Sequence, residues 1–466
     1  MSAAYRHAIS FRRGAGERPA FPPVSGEELR RLAGGDLPET GEDPLVVVER
    51  LATLGRLGSV GSTGPRYFGY VIGGTFPAAA GADWLVTAWD QNAAVQSSGP
   101  AVSVIEEVCA RWLVDLFGLP DDTSVGFTTG AQMSTFTGLA AARHHLLSRA
   151  GWDVEAKGLS GAPAIRVLAG EERHASIDRA LRFLGIGTDA LVSIPCDGNG
   201  AMRADALGAA LDDGASGQAT IVCAQAGNIN TGAVDPIAEV CDLAETGGAW
   251  VHVDGAIGLW AAASERHRHL LDGVERADSW SADGHKWLNA PYDCGIALCA
   301  HPDDHAAAMS VTASYIAVSH HRGSDRRDQI NWNPEWSRRA RSVPVYAALA
   351  SLGRRGVGEL VDRNIAHARH MAEQLSSEAG IEVLNEVVLN QVLVRFQGAG
   401  DGAGEADQIT TEVIHRVQED GVCWVGGTRW QGQAAMRVSI CGHNTTTDDI
   451  DRSAESILAA FRKLGG

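Results

Sequence analysis

The stretch Trp250-Val251-His252-Val253-Asp254-Gly255-Ala256 begins apolar and ends on a carboxylate followed by two small residues. Trp250–Val253 reads as a short strand buried on both faces, as in a parallel sheet. Asp254 then stands at its C-terminal end, where open α/β sheets face their ligand crevice. Taken alone, the same aspartate could serve as a turn or cap residue. Working outward, Ala164–Ala169 and Ala219–Ala224 are two more short apolar runs that read as strands. Val104–Phe117 has Ile105, Val108, Trp112 and Leu116 at helical spacing. Thr135–Leu147, Ile177–Leu184 and Pro236–Glu245 also read as helices. Short apolar strands alternating with helices predict an α/β fold, a mainly parallel sheet covered on both faces.

About thirty residues after Asp254 comes Ser281-Ala282-Asp283-Gly284-His285-Lys286-Trp287. Lysine occurs three times in 466 residues, as Lys157, Lys286 and Lys463, against 36 arginines. A lysine can lose its proton and attack a carbonyl, which an arginine cannot do. Lys157 lies in a Gly/Ser/Ala-rich stretch and Lys463 in the C-terminal tail, so Lys286 is the candidate for Schiff-base chemistry. A pyridine-ring cofactor bearing an aldehyde needs such a lysine, and a carboxylate to keep its ring nitrogen protonated. Lys286 and Asp254 supply both.

Gly126-Phe127-Thr128-Thr129-Gly130-Ala131 leads into the helix through Thr135–Leu147. Hydroxyl and small residues at a helix N-terminus leave backbone N–H groups for a phosphate. They are also ordinary capping residues. His174, in Glu171-Glu172-Arg173-His174-Ala175-Ser176, follows the strand ending near Ala169, where an imidazole can stack on a cofactor ring.

These segments together resemble the group II pyridoxal-phosphate-dependent amino-acid decarboxylases, the group that includes the aromatic-amino-acid decarboxylases. Further matching runs are Gly64-Pro65-Arg66-Tyr67-Phe68-Gly69-Tyr70, Ser98-Gly99-Pro100 through Ile105-Glu106-Glu107, and Thr231-Gly232-Ala233-Val234-Asp235-Pro236. So are Asp278-Ser279, Asp293-Cys294-Gly295 and Arg437-Val438-Ser439-Ile440-Cys441. The resemblance implies an aspartate-aminotransferase-like (type I) fold with a smaller α+β domain at the C-terminus. It implies pyridoxal 5'-phosphate as cofactor, held as an imine by Lys286, with Asp254 on the ring nitrogen and His174 stacked on the ring. Thr129, Gly130, Ala131 and His285 would hold the phosphate, with Asp283 in the same cofactor-binding set. It implies a homodimer with a catalytic loop reaching in from the neighbour, in whose place the non-periodic 317–337 stretch lies. By position, Tyr70, Val71, Ile72 and Trp84 would line a pocket for an apolar or aromatic L-amino acid, with His443 and Asn444 as further candidates.

Three departures stand out. No tyrosine lies between Tyr315 and Tyr346, where related decarboxylases carry a loop tyrosine implicated in returning a proton to Cα; Gln329 occupies the matching place, with His320 and His321 nearby. A missing donor would favour aldehyde formation coupled to decarboxylation. Gly227-Asn228-Ile229 replaces the usual Gly-Thr-Thr. Asp283 replaces an asparagine, which resembles the sphingosine-phosphate lyase branch and keeps a Cα–Cβ-cleaving lyase as the alternative.

Composition limits the partners. The formal charge is −18, which argues against nucleic acid and anionic membrane surfaces. No apolar run reaches the length of a membrane span, and the first 20 residues lack a secretory signal and read as a mobile arm. Eight cysteines without a CxxC or zinc spacing read as reduced thiols of a cytoplasmic protein, with no metal site expected. The domain division expected is an N-terminal segment at 1–75, a large cofactor-binding domain at 76–340 and a small domain at 341–466. Residues 1–45 carry a short helix near Glu27–Leu32, and 64–100 read as an irregular lead-in. In the last part, Val343–Leu352, Gly358–Ser376, Gln408–Glu419 and Asp448–Leu464 read as helices, and Glu382–Phe396 and Met436–Cys441 as strands.

Overall fold

The computed structural model describes residues 1–20, 24–214, 217–311, 327–398 and 403–464. They divide into two units. One comprises 75–365 and 385–391; the other comprises 1–74, 366–384 and 392–466.

The larger unit is built on a seven-stranded sheet. Its strands are β1 (Ser124–Thr128), β2 (Arg166–Gly170), β3 (Leu191–Ile194), β4 (Thr220–Gln225), β5 (Trp250–Asp254), β6 (Ser279–Asp283) and β7 (Gly295–Cys299). The order is β1-β7-β6-β5-β4-β2-β3. β3, β2, β4, β5 and β6 pair in parallel, while β7 runs antiparallel to both β6 and β1. Two reversals leave β1 pointing the same way as β6. The C-terminal ends of β1, β6, β5, β4 and β2 therefore share one edge of the sheet.

Helix Ala131–Arg149 crosses this sheet, and its inward positions are small or aliphatic: Gly138, Leu139, Ala140, Ala141 and Ala142 are buried. A Cβ on Gly138 would come within 2.9 Å of the His252 ring, so glycine permits the approach of helix to β5. Helix Pro100–Phe117 starts on proline and stops at Gly118 in the left-handed region, both expected terminal signals. It buries Glu106, whose carboxylate receives Arg338 Nη1 at 3.0 and 3.1 Å. That pair anchors the polar segment before the helix Ser342–Ser376.

The second unit carries a four-stranded sheet of β8 (Ile381–Val383), β9 (Gln391–Phe396), β10 (Gly426–Trp430) and β11 (Gln433–Ser439), in the order β10-β11-β9-β8. Helices Ala403–Asp420 and Thr447–Arg462 belong with it, the latter opened by a Thr446/Asp449 capping box. The first 74 residues fall in this unit. Phe68 N–H donates to Trp424 O at 2.9 Å, Tyr67 stacks on Trp424, and Arg66 pairs with Asp449 at 2.8 Å. Where three stretches were expected from the sequence, residues 1–74 are thus grouped with the C-terminal sheet.

Several local expectations need correction. The start of the expected arm is a helix, Ser2–Arg13, tied to helix Pro44–Gly58 through His7 and Glu49 at 2.8 Å. The expected irregular lead-in contains helix Pro77–Trp89, whose Ala/Gly-rich sequence lacks the polar contrast that reveals a helix. The single strand read over Glu382–Phe396 is two, β8 and β9, separated by a turn in which Asn385 Nδ2 binds Gln391 O at 3.0 Å. Gly353, at φ 64°, divides Ser342–Ser376 where the sequence predicts two helices.

Candidate active site

Strand register brings the sequence-singled residues together. Thr128 of β1 and Asp283 of β6 both pair with Gly295 of β7, so they flank it in one row. A Cβ on Gly295 would lie 2.3 Å from the Gly130 backbone, which makes glycine obligatory there. Asp254 pairs with Ser281 on one side and Gln225 on the other. His174 lies four residues beyond the end of β2, and its backbone N–H donates to Gln225 Oε1 at 3.2 Å.

Asp254 is buried. Its Oδ1 accepts from Ala256 N–H at 3.2 Å and Ser281 Oγ at 3.3 Å, and its Oδ2 from Ser176 Oγ at 3.4 Å. Thr135 Oγ1 donates in turn to Ser281 Oγ at 3.2 Å. No cation pairs with Asp254 among the described residues. A buried carboxylate lacking a counter-charge is costly, and a protonated ring nitrogen would supply one. Ser176 also joins Asp254 to His174: its Oγ lies 2.9 Å from His174 Nδ1, and its N–H is 3.2 Å from the same nitrogen.

Lys286 follows β6 in a tight turn and is partly buried. Among the described residues its Nζ has no hydrogen-bond or ion-pair partner. The neighbouring Trp287 buries an indole N–H without a partner. At the head of helix Ala131–Arg149, Gly130 offers no side-chain cap, and such an N-terminus attracts anionic groups. Thr129 is exposed beside it. Asp283 Oδ2 accepts from Ala131 N–H at 3.3 Å, and Asp283 Oδ1 lies 2.6 Å from His285 Nδ1. The contact with His285 is not aligned as a hydrogen bond. His285 is flanked by the Tyr292 ring at 4.3 Å. Among the described residues, a buried carboxylate without a counter-cation, an amine without a partner and a helix N-terminus without a side-chain cap from Gly130 thus stand at one sheet edge, a donor set that fits a phosphorylated pyridine aldehyde.

The surrounding charges are buried and quiet. Burial pushes His252 down to about 4 against the opposing pull of Asp254, so it is neutral at pH 7. Burial raises Asp235 to about 6, although the Met202 and Gln225 N–H groups, both at 2.7 Å, favour its charge. Burial likewise pushes the Cys223 thiol behind Asp254 up to about 12, which removes it as a nucleophile at neutral pH.

The four expected pocket residues are distributed differently. Tyr70, Val71 and Ile72 belong to the unit that includes residues 1–74, and Trp84 to the unit carrying Lys286. Tyr70 is exposed and stacks on Trp424 at 5.3 Å, whereas Val71 is fully buried. Both have φ 56°. Trp84 is exposed on its helix. Asn444 donates to Thr63 O at 3.4 Å in its own unit. Gln329 is fully buried: Arg327 Nε donates to its Oε1 at 3.0 Å and its Nε2 reaches Ser103 O at 3.5 Å. His320, His321 and the rest of 317–326 lie outside the described residues. Sequence reasoning missed the roles of Ser176, Ser281, Thr135 and Gln225, although Ser176 and Ser281 stand within the very motifs that gave His174 and Lys286.

Residues 27–397 match the model of the pyridoxal-dependent decarboxylase conserved domain. Acidic amino acid decarboxylase GADL1 of Bos taurus is 29% identical over 363 residues, covering 77% of this chain and 68% of the relative. L-2,4-diaminobutyrate decarboxylase of Rhizobium meliloti (strain 1021) is 29% identical over 389 residues, covering 83% and 76%. Aromatic-L-amino-acid decarboxylase of Bacillus atrophaeus is 26% identical over 441 residues, covering 93% and 88%. Among solved structures, Oryza sativa TDC with PLP and tryptamine superposes with a TM-score of 0.92 at 22% identity, covering 100% of this chain and 97% of that one. At that identity the likeness establishes the fold.

Proposed function

The chain belongs to the pyridoxal-dependent decarboxylases, and on that footing we propose that it converts an L-amino acid with an apolar or aromatic side chain to the amine and CO2. It is a carboxy-lyase with pyridoxal 5'-phosphate as cofactor. When bound, that cofactor supplies an aldehyde that condenses with amines and a ring that accepts electrons from Cα.

The observation that carries the reading is the pair Asp254 and Lys286: among the described residues, the carboxylate has no counter-cation and the amine no anion. Lys286 would hold the cofactor through its Nζ, the amine best placed to condense with an aldehyde and to give way to a substrate amine. Asp254 keeps a proton on the ring nitrogen, steadied by Ser176, Ser281 and the Ala256 N–H. His174 lies on the ring face, its Nδ1 occupied by the Ser176 N–H. Thr129, Gly130, Ala131 and His285 would hold the phosphate, with Asp283 beside His285 at 2.6 Å. Turning the substrate carboxylate out of the ring plane is a positioning task that selects which bond breaks. Excluding water protects the electron pair left on Cα.

In the unit that carries Lys286, the uncharged Trp84 supports an apolar or aromatic side chain. Two consecutive non-glycine residues at φ 56°, one of them β-branched, also mark a strained segment of the kind found at ligand sites. The relatives include decarboxylases of acidic, diamino and aromatic amino acids, so side-chain class is the part most open to test. The same reading makes the protein a cytoplasmic homodimer. Leu45, Val46 and Leu51, exposed on one short helix, support an interface, and eight free cysteines suit a reducing compartment.

Gln329 favours a second outcome. A buried amide carries no transferable proton, and slow return of a proton to Cα would let O2 intervene. Amino acid, O2 and water would then give aldehyde, CO2, ammonia and hydrogen peroxide.

The test is product analysis by mass spectrometry with CO2 followed in parallel, using the cofactor-loaded protein and a pool of L-amino acids. The expected product is an amine lighter than its parent by one CO2, lost by a factor on the order of 10^3 in Lys286→Ala. Aldehyde with CO2 and peroxide would establish the second outcome. Aldehyde without CO2 would point to a Cα–Cβ lyase and overturn the proposal.

A further inference from the structure

We propose that His145, His301 and Asp304 form a binding site for a divalent transition-metal cation of the zinc class, on the sheet edge opposite Lys286. One nitrogen from each imidazole and one Asp304 oxygen lie within 4.8 Å of one another. Metal bonds of about 2.0–2.2 Å set tetrahedral ligand atoms roughly 3.4 Å apart, so the side chains turn only slightly and the direct His145–Asp304 contact opens to admit the ion. The side chains are 23%, 37% and 23% exposed, which leaves them room to turn and leaves a path for the ion.

The site is built from the sheet outward. His301 follows β7 and caps helix Pro302–Met309, which carries Asp304 in its first turn. His145 projects from helix Ala131–Arg149. The His145 and His301 ring centroids are 5.2 Å apart, and Trp250 lies 5.2 and 4.9 Å from them as a common wall. Residues 145, 301 and 304 span too much sequence for any ligand spacing to reveal them.

An outer layer already orients these groups. Asp278 Oδ2 accepts the Val251 N–H at 2.6 Å, and its Oδ1 holds His301 Nε2 at 2.7 Å. That leaves His301 Nδ1 as a donor to a metal, in the carboxylate–histidine–metal arrangement that orients such ligands. Asp304 Oδ2 is 2.7 Å from His145 Nδ1, and its Oδ1 is 3.7 Å from His144 Nε2. Glu155 in turn holds His144 Nδ1 at 2.7 Å. Two imidazoles and one carboxylate suit Zn2+, Co2+ or Ni2+ and disfavour Mg2+ and Ca2+, which prefer all-oxygen shells. Three protein ligands leave a fourth position to water.

The ion would tie helix Ala131–Arg149 to helix Pro302–Met309. β6 separates Asp278 from the cofactor end by five residues, about 17 Å of strand. Binding is therefore expected to raise thermal stability and leave the decarboxylation rate unchanged.

The test titrates chelator-stripped holoenzyme by calorimetry with Zn2+ and, separately, Mg2+. One Zn2+ per chain is expected, with no heat from Mg2+. His301→Gln and Asp304→Asn should each weaken Zn2+ about tenfold or more, the low end of what loss of even an outer-layer partner does. Cofactor absorbance and activity should stay at wild-type levels. Co2+ in place of Zn2+ should give visible d–d bands that change in His301→Gln and show no thiolate charge transfer. If His301→Gln does not fold, Asp304→Asn, on a part-exposed first helical turn, decides alone. Absence of Zn2+ binding, binding that survives Asp304→Asn unchanged, or a thiolate–cobalt band would overturn the proposal.

Discussion

At the C-terminal ends of β5 and β6 stand a carboxylate without a cation, Asp254, and an amine without an anion, Lys286. At the other ends of the same strands, Asp278 holds His301 at 2.7 Å, and nearby Asp304 holds His145 at 2.7 Å. Both edges concentrate ionisable groups, but only one of them leaves charges unanswered. Asp254 and Lys286 follow neighbouring strands and still do not pair. Folding places a buried charge without a partner only where something outside the chain will answer it. At the far edge, carboxylate and imidazole answer each other, so a metal there adds to a network that is already stable. The first edge needs its ligand for function, and the second accepts one for stability.

Asp254→Asn is the sharpest way to break that contrast, because it keeps the shape and removes the charge. Losing one partner of a buried charge pair costs about 3–5 kcal/mol, so decarboxylation should fall by at least about a hundredfold. The cofactor-loaded protein should melt at a lower temperature than wild type. The cofactor-free protein should melt at the same temperature or higher, since no cation among the described residues pairs with Asp254 and asparagine keeps an oxygen for the Ala256 N–H. Equal destabilisation with and without cofactor would mean that Asp254 has a partner within the chain, and the contrast between the edges would fail.

A smaller effect is expected from His252, on β5 between the two edges. Its folded value, about 4, lies below the ordinary 6.5 because burial disfavours the charged ring. The unfolded chain therefore takes up the proton first. Stability is undiminished above pH 6.5 and falls as pH drops from 6.5 toward 4, by up to about 3 kcal/mol. Asp235, raised to about 6, works the other way, its contribution falling as pH rises from 3.8 to 6. Urea unfolding at several pH values in wild type and His252→Gln separates the two. The variant should lose the steep acid limb and retain the Asp235 slope. An unchanged acid limb would show that His252 is not the group that titrates.

The sequence made the ligand edge far more legible than its support. β2, β4 and β5 are apolar runs buried on both faces, and their pattern is distinctive. β1, β6 and β7 read Ser-Val-Gly-Phe-Thr, Ser-Trp-Ser-Ala-Asp and Gly-Ile-Ala-Leu-Cys, where small and polar residues blur the pattern. Lys286 and Asp254 were legible because their chemistry needs rare residue types at strand ends. Ser176, Ser281 and Gln225 were not, because a serine or glutamine acquires its role only from the strand register that sets it beside a carboxylate. Gly295 acquires its meaning only from the approach of Gly130. The helix Pro77–Trp89 escaped because its Ala-rich sequence does not alternate apolar and polar faces in a readable way, and Ser2–Arg13 because its four charged and imidazole side chains among small residues read as a solvated arm. Val387 and Val388 carried the strand pattern of Glu382–Phe396 through a turn that the asparagines on either side actually make.

The smallest effect tests the other side of the contrast. Asp278→Asn at the N-terminal end of β6 keeps an oxygen for the Val251 N–H and loses the charge that holds His301 Nε2. That pair is part-exposed, and such pairs contribute no more than about 1 kcal/mol. In metal-free buffer the variant should therefore unfold at a slightly lower urea concentration, by about 1 kcal/mol or less, with the cofactor spectrum and the rate of CO2 release unchanged. On the neighbouring strand, level with Ser281 and so three residues further along, loss of a single charge at Asp254 is expected to cost several times more, and almost all of it in activity. The difference follows from the partner each carboxylate has. Asp278 gives up an imidazole that water can replace at a part-exposed edge, whereas Asp254 gives up a partner in a buried site where water cannot. A loss of activity in Asp278→Asn comparable to that in Asp254→Asn would mean that the strands transmit strain from one edge to the other, and that the two edges do not act independently.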